Sequence, residues 1–206
     1  MKKNKTERSP ILVAIVGGSG AGKTWLADQL QAILGTKAAR LSLDDFYRDR
    51  SGLSPSRRAT INFDTPRAID WVSFERVLQL CLAGKTARIP CYDFKTHCRL
   101  RSSKLLKPRP IILVDGLWLL RRPSLRRLFS LSIFLDCPAS LRLRRRLARD
   151  VLTRGRNRAS VEEQFWNTVQ PMHLKYVAPQ ARWAEVVLED DCGKREIESL
   201  AARLRA

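Results

Sequence analysis

Gly17-Gly18-Ser19-Gly20-Ala21-Gly22-Lys23-Thr24 follows directly on the apolar run Ile11 to Val16. The pattern is G-x-x-x-x-G-K-T, placed behind a buried strand and ahead of a helix, the setting in which this spacing cradles phosphate. Glycines let the backbone curl until its N–H groups converge on an anion. Lys23 would reach the β- and γ-phosphates of a nucleoside triphosphate, and the Thr24 hydroxyl would hold Mg²⁺. The helix that follows adds its positive dipole end at the same point. A glycine turn without a ligand is the plain alternative, and the strand–turn–helix context argues against it.

Phosphoryl transfer needs a metal, positive charge around the moving group, and a base or orienter for the acceptor hydroxyl. Asp115 closes the apolar run Ile111 to Val114 and suits the metal. Its bland alternative is a helix N-cap. Asp44 ends the run Ala38 to Leu43 and suits the base. Asp45 competes, but strand alternation would send the two neighbours to opposite sides. Arg142, Arg145, Arg146 and Arg149 recur at helical spacing, with Arg154, Arg156 and Arg158 behind them. Laid over a triphosphate, that stripe would be a lid supplying charge to the transition state. A solvated face is the alternative, and it suits Arg144 and Arg158.

These groups need a scaffold that brings distant strand ends together. A helix is expected from Lys23 to Leu34, with Leu26, Leu30, Ile33 and Leu34 on its apolar face and Gly35 ending it. A second follows Asp70, its face marked by Val72, Val77, Leu78 and Leu82. A third covers Val161 to about Val177, and Pro138 opens the Arg-rich one. Strands are expected at Ile11–Val16, Ala38–Leu43, Ile111–Asp115, Leu131–Asp136 and Ala184–Leu188. Continuously apolar strands alternating with helices imply a five-stranded parallel sheet covered on both faces, with ligands at the carboxyl ends of the strands. Ile89 to Phe94 alternates like a strand, but Pro90 sends it to a hairpin outside the main sheet. Arg48 to Arg58 reads as a mobile loop.

At 206 residues and 44% hydrophobic, one domain accounts for the whole chain. The basic stretch Met1–Ser9 reads as a disordered tail rather than a leader, because the apolar run behind it ends in the glycine loop and not in a cleavage site. No apolar stretch is long enough to span a membrane. Five cysteines without C-x-x-C or paired histidines argue against zinc and against a disulfide framework, and point to the cytoplasm. The formal charge of +19, with 28 Arg and 11 Lys, would draw any anion. Non-specific nucleic-acid affinity follows from that, but no nucleic-acid-binding motif accompanies it.

The chain resembles the uridine (uridine–cytidine) kinases, a branch of the P-loop kinases related to phosphoribulokinase. The resemblance runs from about Ile11 to Leu188. It rests on Gly17–Thr24, Leu41–Tyr47, Asn62–Asp70, Ile89–Arg99, Asp115-Gly116, Arg145–Asp150, Arg154–Arg156, Gln164 and Pro171. It implies a P-loop NTPase fold with a nucleoside-binding β-hairpin over about 89–102 and an Arg-rich helical lid over about 139–160. The activity implied is phosphorylation of the 5′-hydroxyl of uridine and cytidine, with ATP or GTP as donor and Mg²⁺. Asp44 would take the hydroxyl proton and lie near the metal with Thr24 and Asp115. Asp64 and Arg146 would hold the ribose hydroxyls, and Tyr92 and His97 would read the base. Phe63 and Phe94 would wall it in, and Tyr47 belongs to the same pocket. Arg156 and Gln164 would complete the nucleoside site from the lid. Lys23, Arg149 and Arg154 would act on the donor phosphates. The family also implies a homo-oligomer, a tetramer or dimer.

Without the family, His97 would pass for an ordinary satisfied histidine, and Tyr92 and Phe94 for hairpin core. Three departures stand out: Asp115 where relatives carry Glu, Leu43 and Asp45 flanking the base, and Glu189-Asp190-Asp191 where relatives carry Pro-Arg-Gly. Two other functions remain open at this level. One is a P-loop kinase with a phosphosugar or pantothenate-like acceptor. The other is a nucleotide-gated nucleic-acid-binding protein, which would leave Asp44, Asp64 and His97 without jobs.

Overall fold

The structure, a computed structural model, describes residues 9–190 and 192–205. The expected basic tail lies, but for Ser9, outside them. Strand β1 (Ile11–Gly17) is the middle of a five-stranded sheet. On one side it pairs with β5 (Ile111–Gly116), which pairs in turn with β2 (Ala38–Ser42). On the other it pairs with β6 (Phe129–Leu135), and β7 (Val186–Leu188) completes that edge. Every pairing is parallel. A central parallel strand has no solvent face, and β1 shows how its residues are divided. Val13 and Ile15 enter the core beneath α1 (Lys23–Leu34) and α8 (Lys194–Arg205). Leu12, Ala14 and Val16 enter the core beneath α3 (Trp71–Leu82). Each fully buried aliphatic side chain of this kind contributes about 1.5–3 kcal/mol. One strand therefore anchors both layers.

The first helix runs over Lys23–Leu34 as expected, and Gly35 closes it with φ of 59°. In α3 the expected face shifts. Phe74, Val77, Leu78 and Cys81 are buried, whereas Val72, in the first turn, is 82% exposed. Asp70 caps this helix by accepting the Ser73 amide at 3.2 Å. The Arg48–Arg58 stretch holds a short helix, α2 (Pro55–Ala59), because Ser54 accepts from the Arg57 amide and Pro55 starts the turn.

Strands β3 (Ala87–Asp93) and β4 (Cys98–Leu106) form the separate antiparallel hairpin. Its register slips between Pro90 and Tyr92, where proline has no N–H to offer the ladder. Arg99 fastens the hairpin to the body. Its guanidinium donates to the Tyr47 carbonyl at 2.8 Å, to Asp70 Oδ2 at 3.1 Å and to the Phe46 carbonyl at 3.3 Å.

Between β5 and β6 lies α4 (Pro123–Arg126). The Arg-rich helix is α5 (Ala139–Arg154), ended by Gly155 in the left-handed region. The next helical stretch starts at α6 (Arg158–Gln164), capped by Asn157. It widens to π-type turns over Phe165–Val169 and His173–Val177, on either side of α7 (Gln170–Met172). Pro171 lies in that short piece; it has no N–H and its ring crowds the preceding turn, so a regular helix cannot run through. Buried Gln180 then ties this stretch to the end of β5. It accepts from the Leu120 amide at 2.9 Å and donates to the Leu117 carbonyl at 2.7 Å.

Among the described residues, no helix is long and apolar enough to cross a membrane.

Candidate active site

The glycine loop, the ends of β2 and β5, the hairpin and α5 enclose one cleft of about 940 Å³. Gly20 shows why the loop must be glycine. Its φ is +82°, and a Cβ there would lie 2.4 Å from the Arg142 carbonyl oxygen. Ser19, Gly20, Gly22, Lys23 and Thr24 line the cleft, and Gly17, Gly18 and Ala21 do not. Lys23 Nζ donates to the Gly18 carbonyl at 2.9 Å, so the amine curls back over its own loop. Burial holds its pKa below the ordinary lysine value, against the opposing pull of Asp44 and Asp115.

Thr24 Oγ1 donates to Asp115 Oδ2 at 3.2 Å. Burial and the neighbouring Asp44 raise the Asp115 carboxyl above its usual range. Two carboxylates and a hydroxyl gathered beside a phosphate loop are hard oxygen donors whose mutual repulsion a divalent cation relieves, which suits Mg²⁺. Asp44 and Asp45 sit not at a strand end but on a tight 3₁₀ turn, Leu43–Phe46. That turn, and not strand alternation, separates them: Asp44 lines the cleft, and Asp45 does not. Burial raises the Asp45 carboxyl, with Lys104 of the hairpin opposing.

Across the cleft Tyr47, Phe63, Tyr92 and Phe94 make an aromatic wall. The Tyr47 ring lies 5.2 Å from Tyr92 and 5.8 Å from Phe63, centroid to centroid. His97 stacks on Phe63 at 4.3 Å, 11° from parallel. Its φ of +56° is a backbone conformation that a histidine adopts at a cost. The Asp93 carboxylate holds the turn by accepting from the Lys95 amide at 2.9 Å and Thr96 Oγ1 at 2.7 Å. Burial, with Arg154, Arg156 and Arg58 nearby, pushes His97 below its ordinary pKa, so the ring is neutral at pH 7. Tyr92 Oη is buried and has no hydrogen-bond partner among the described residues. A buried hydroxyl at the wall of a cleft is a group waiting for a ligand.

The arginine stripe does not act as one face. Arg142 is buried, with Nε donating to the Cys137 carbonyl at 3.0 Å and the guanidinium 5.5 Å above the Phe165 ring. Arg145 reaches the Ala21 carbonyl. Arg146 donates to Ser19 Oγ and to Gln164 Oε1, each at 2.9 Å. Arg156 also donates to Gln164 Oε1, and Arg154 lies 4.6 Å above the Phe94 ring. Asp64 faces the same space, its carboxyl raised by burial and pulled back by Arg146 and Arg149. Among the described residues no ion pair joins Asp64 to Arg146.

Sequence reasoning missed several groups. Arg58 lines the cleft from the short helix α2, and Lys95 from the hairpin turn. His173 was also overlooked. A Cβ on Gly18 would meet its Nδ1 at 2.8 Å, so the ring braces the loop from behind. Burial, with Arg142 and Lys23 beside it, lowers its pKa from 6.5 to about 4. The unfolded chain takes up a proton near the higher value that the folded protein refuses until the lower one. Stability is therefore full above the higher value and falls as pH drops through that window. The thermal midpoint of the wild type should fall more steeply from about pH 7 to about pH 5 than that of His173→Gln. Equal slopes would mean the ring is solvated.

A glycine loop, a threonine–carboxylate pair, a carboxylate on the facing 3₁₀ turn and a roof of guanidiniums define a P-loop kinase, a phosphotransferase with a small-molecule acceptor. The model of the phosphoribulokinase/uridine kinase family matches residues 12–194. A uridine kinase of Chloroflexus aurantiacus is 39% identical over 201 residues, 96% of this chain and 95% of that one. A uridine kinase of Brevibacillus brevis is 36% identical over 183 residues, covering 88% and 86%. The phosphoribulokinase of Rhodobacter spheroides shares the fold, with a TM-score of 0.65 at 19% identity, over 89% of this chain and 71% of that one. The chain belongs to the phosphoribulokinase/uridine kinase family and is a uridine kinase-like enzyme.

Proposed function

We propose that the enzyme transfers the γ-phosphoryl group of ATP or GTP to the 5′-hydroxyl of uridine and cytidine, in the cytoplasm and with Mg²⁺. One observation carries the reading. Tyr92 and His97, residue types that suit a pyrimidine, line the same cleft as Asp64, Asp44 and the glycine loop. A neutral imidazole can donate to an exocyclic oxygen and accept from an amine, which suits both bases. Phe63 and Phe94 flank that position. Asp64 accepts from ribose hydroxyls, and Arg146 donates to them. Asp44 accepts the 5′-hydroxyl proton as the oxygen attacks. Lys23, Arg149 and Arg154 hold the donor phosphates and spread the charge that develops on the transferred group. Thr24, Asp44 and Asp115 would hold Mg²⁺, whose role when bound is to neutralise phosphate oxygens. The uridine kinase name of the relatives agrees with this acceptor.

The test is ATP consumption with Mg²⁺ against uridine, cytidine, deoxycytidine, adenosine, pantothenate and ribulose 5-phosphate. Turnover confined to uridine and cytidine supports the reading. Silence with those two, or activity on another member, overturns the acceptor and leaves the kinase. His97→Ala should then weaken discrimination for pyrimidines by roughly 10-fold or more while sparing donor binding. Equal loss of acceptor and donor affinity would mark His97 as a structural residue.

A further inference from the structure

Asp150, in the last turns of α5, is that helix's single acidic side chain, and it is wholly buried. Its Oδ1 accepts from Arg149 Nε at 2.8 Å and lies 3.5 Å from Arg154 Nη1. Its Oδ2 lies 3.4 Å from Arg146 Nε, close enough for charge attraction but without a formed hydrogen bond. Its backbone carbonyl accepts from the Arg156 amide at 3.1 Å and from the Gly155 amide that closes the helix. Among the described residues no other carboxylate comes within ion-pair distance of Arg146, Arg149 or Arg154. One buried anion thus holds three cations, and its peptide group holds the residue that carries a fourth.

Those arginines face different parts of the cleft. Arg146 reaches Ser19 of the glycine loop and shares Gln164 with Arg156. Arg154 lies on the hairpin ring Phe94. Three guanidiniums crowded into a half-buried site repel one another, and without a shared counter-ion they would splay apart. With one, they retain two net positive charges aimed into the cleft. We propose that Asp150 is a positioning residue that couples the acceptor side of the cleft to the donor side. When a donor phosphate draws in Arg149 and Arg154, the common carboxylate shifts with them and carries Arg146 towards its place on the acceptor. Each substrate thereby tightens the other, by the same factor in both directions. This inference rests on the proposed assignment of the arginines to acceptor and donor.

The experiment compares the full-length wild type with Asp150→Asn, which keeps shape and removes charge. Calorimetry with a non-hydrolysable ATP analogue reads donor affinity with no acceptor present. Steady-state kinetics over a grid of donor and acceptor concentrations reads the coupling factor. Asp150→Asn is expected to bind the donor analogue roughly 10-fold more weakly, to lose at least ~10-fold in kcat, and to bring the coupling factor close to one. Combined with Arg149→Ala, it should lose less than the product of the two single losses, because the second change removes a group already set adrift. A purely structural role would lower the melting temperature and leave the coupling factor unmoved, and that result overturns the proposal. So does a full multiplicative loss in the double variant.

Should Asp150→Asn fail to fold, Arg146→Lys and Arg149→Lys are combined in the wild-type background. Independent, multiplying losses overturn the tie, and a shared loss supports it. If the wild type phosphorylates no nucleoside, the acceptor reading fails by itself. The calorimetric arm still tests the hold on Arg149 and Arg154, and the kinetic arm uses whichever acceptor does turn over.

Discussion

Asp44→Asn is expected to lower turnover by at least ~10²-fold while nucleoside binding is largely retained, the scale on which a lost general base is felt. The substitution is isosteric, so the 3₁₀ turn that presents residue 44 should survive; its local support is the Ser42 hydroxyl accepting the residue-44 amide at 3.4 Å, which is a main-chain contact. What disappears is the proposed proton acceptor, a carboxylate that lines the cleft and is one of the two acting on Lys23. Rapid-quench measurement of the chemical step, with nucleoside affinity measured separately, checks it. Unchanged turnover would remove Asp44 from the reaction. Asp45, drawn away beside Lys104, would then become the group to test.

Lys23→Met carries the other large effect, a fall of roughly 10³-fold in kcat/KM with the fold intact. Lys23 is the single cation inside the glycine loop, and its Nζ is parked on the Gly18 carbonyl at 2.9 Å. That contact is local, and its loss is worth about 1 kcal/mol to the folded state. On the proposed reading, donor triphosphate replaces the carbonyl with charged oxygens, and the ammonium then stabilises charge that grows during transfer. Removing one such preorganised donor typically costs 10²–10³ in rate, and the full positive charge places the expectation at about the upper end. Kinetics at saturating acceptor, alongside a thermal melt, separate the two effects. A melt shifted by more than a few degrees with modest kinetic loss would make Lys23 a structural residue.

Much of the scaffold was legible because helices and strands impose short-range periods. The run Ile11–Val16 had to be buried on both faces, and the structure divides it between two cores. Lys23 to Leu34 alternated at helical spacing and ended at a glycine, and the helix does the same. Pro90 foretold a strand outside the main sheet, since it cannot complete a ladder. The glycine loop was legible for the same reason: its conformation is dictated by residues within eight positions. The hairpin's Tyr92 and His97 were legible only through resemblance, for an aromatic and a histidine carry no period of their own.

What the tertiary structure alone decided is which of several equivalent groups does what. Arg142, Arg145, Arg146 and Arg149 are indistinguishable on a helical wheel. Arg142 is buried because Gln170 and Phe165, more than twenty residues away, receive it. Arg146 turns to the cleft because Ser19 and Gln164 meet it there. Val72 fits the apolar spacing of its helix, yet no neighbour covers it, and it faces water. Asp44 and Asp45 part company on a 3₁₀ turn that strand alternation did not foresee. Asp150 looked like the end of a motif and proves to be the anion on which Arg146, Arg149 and Arg154 converge. Period and local sterics act within a few residues and so can be read along the chain. Charge pairing and burial depend on partners that only folding brings within a few ångströms.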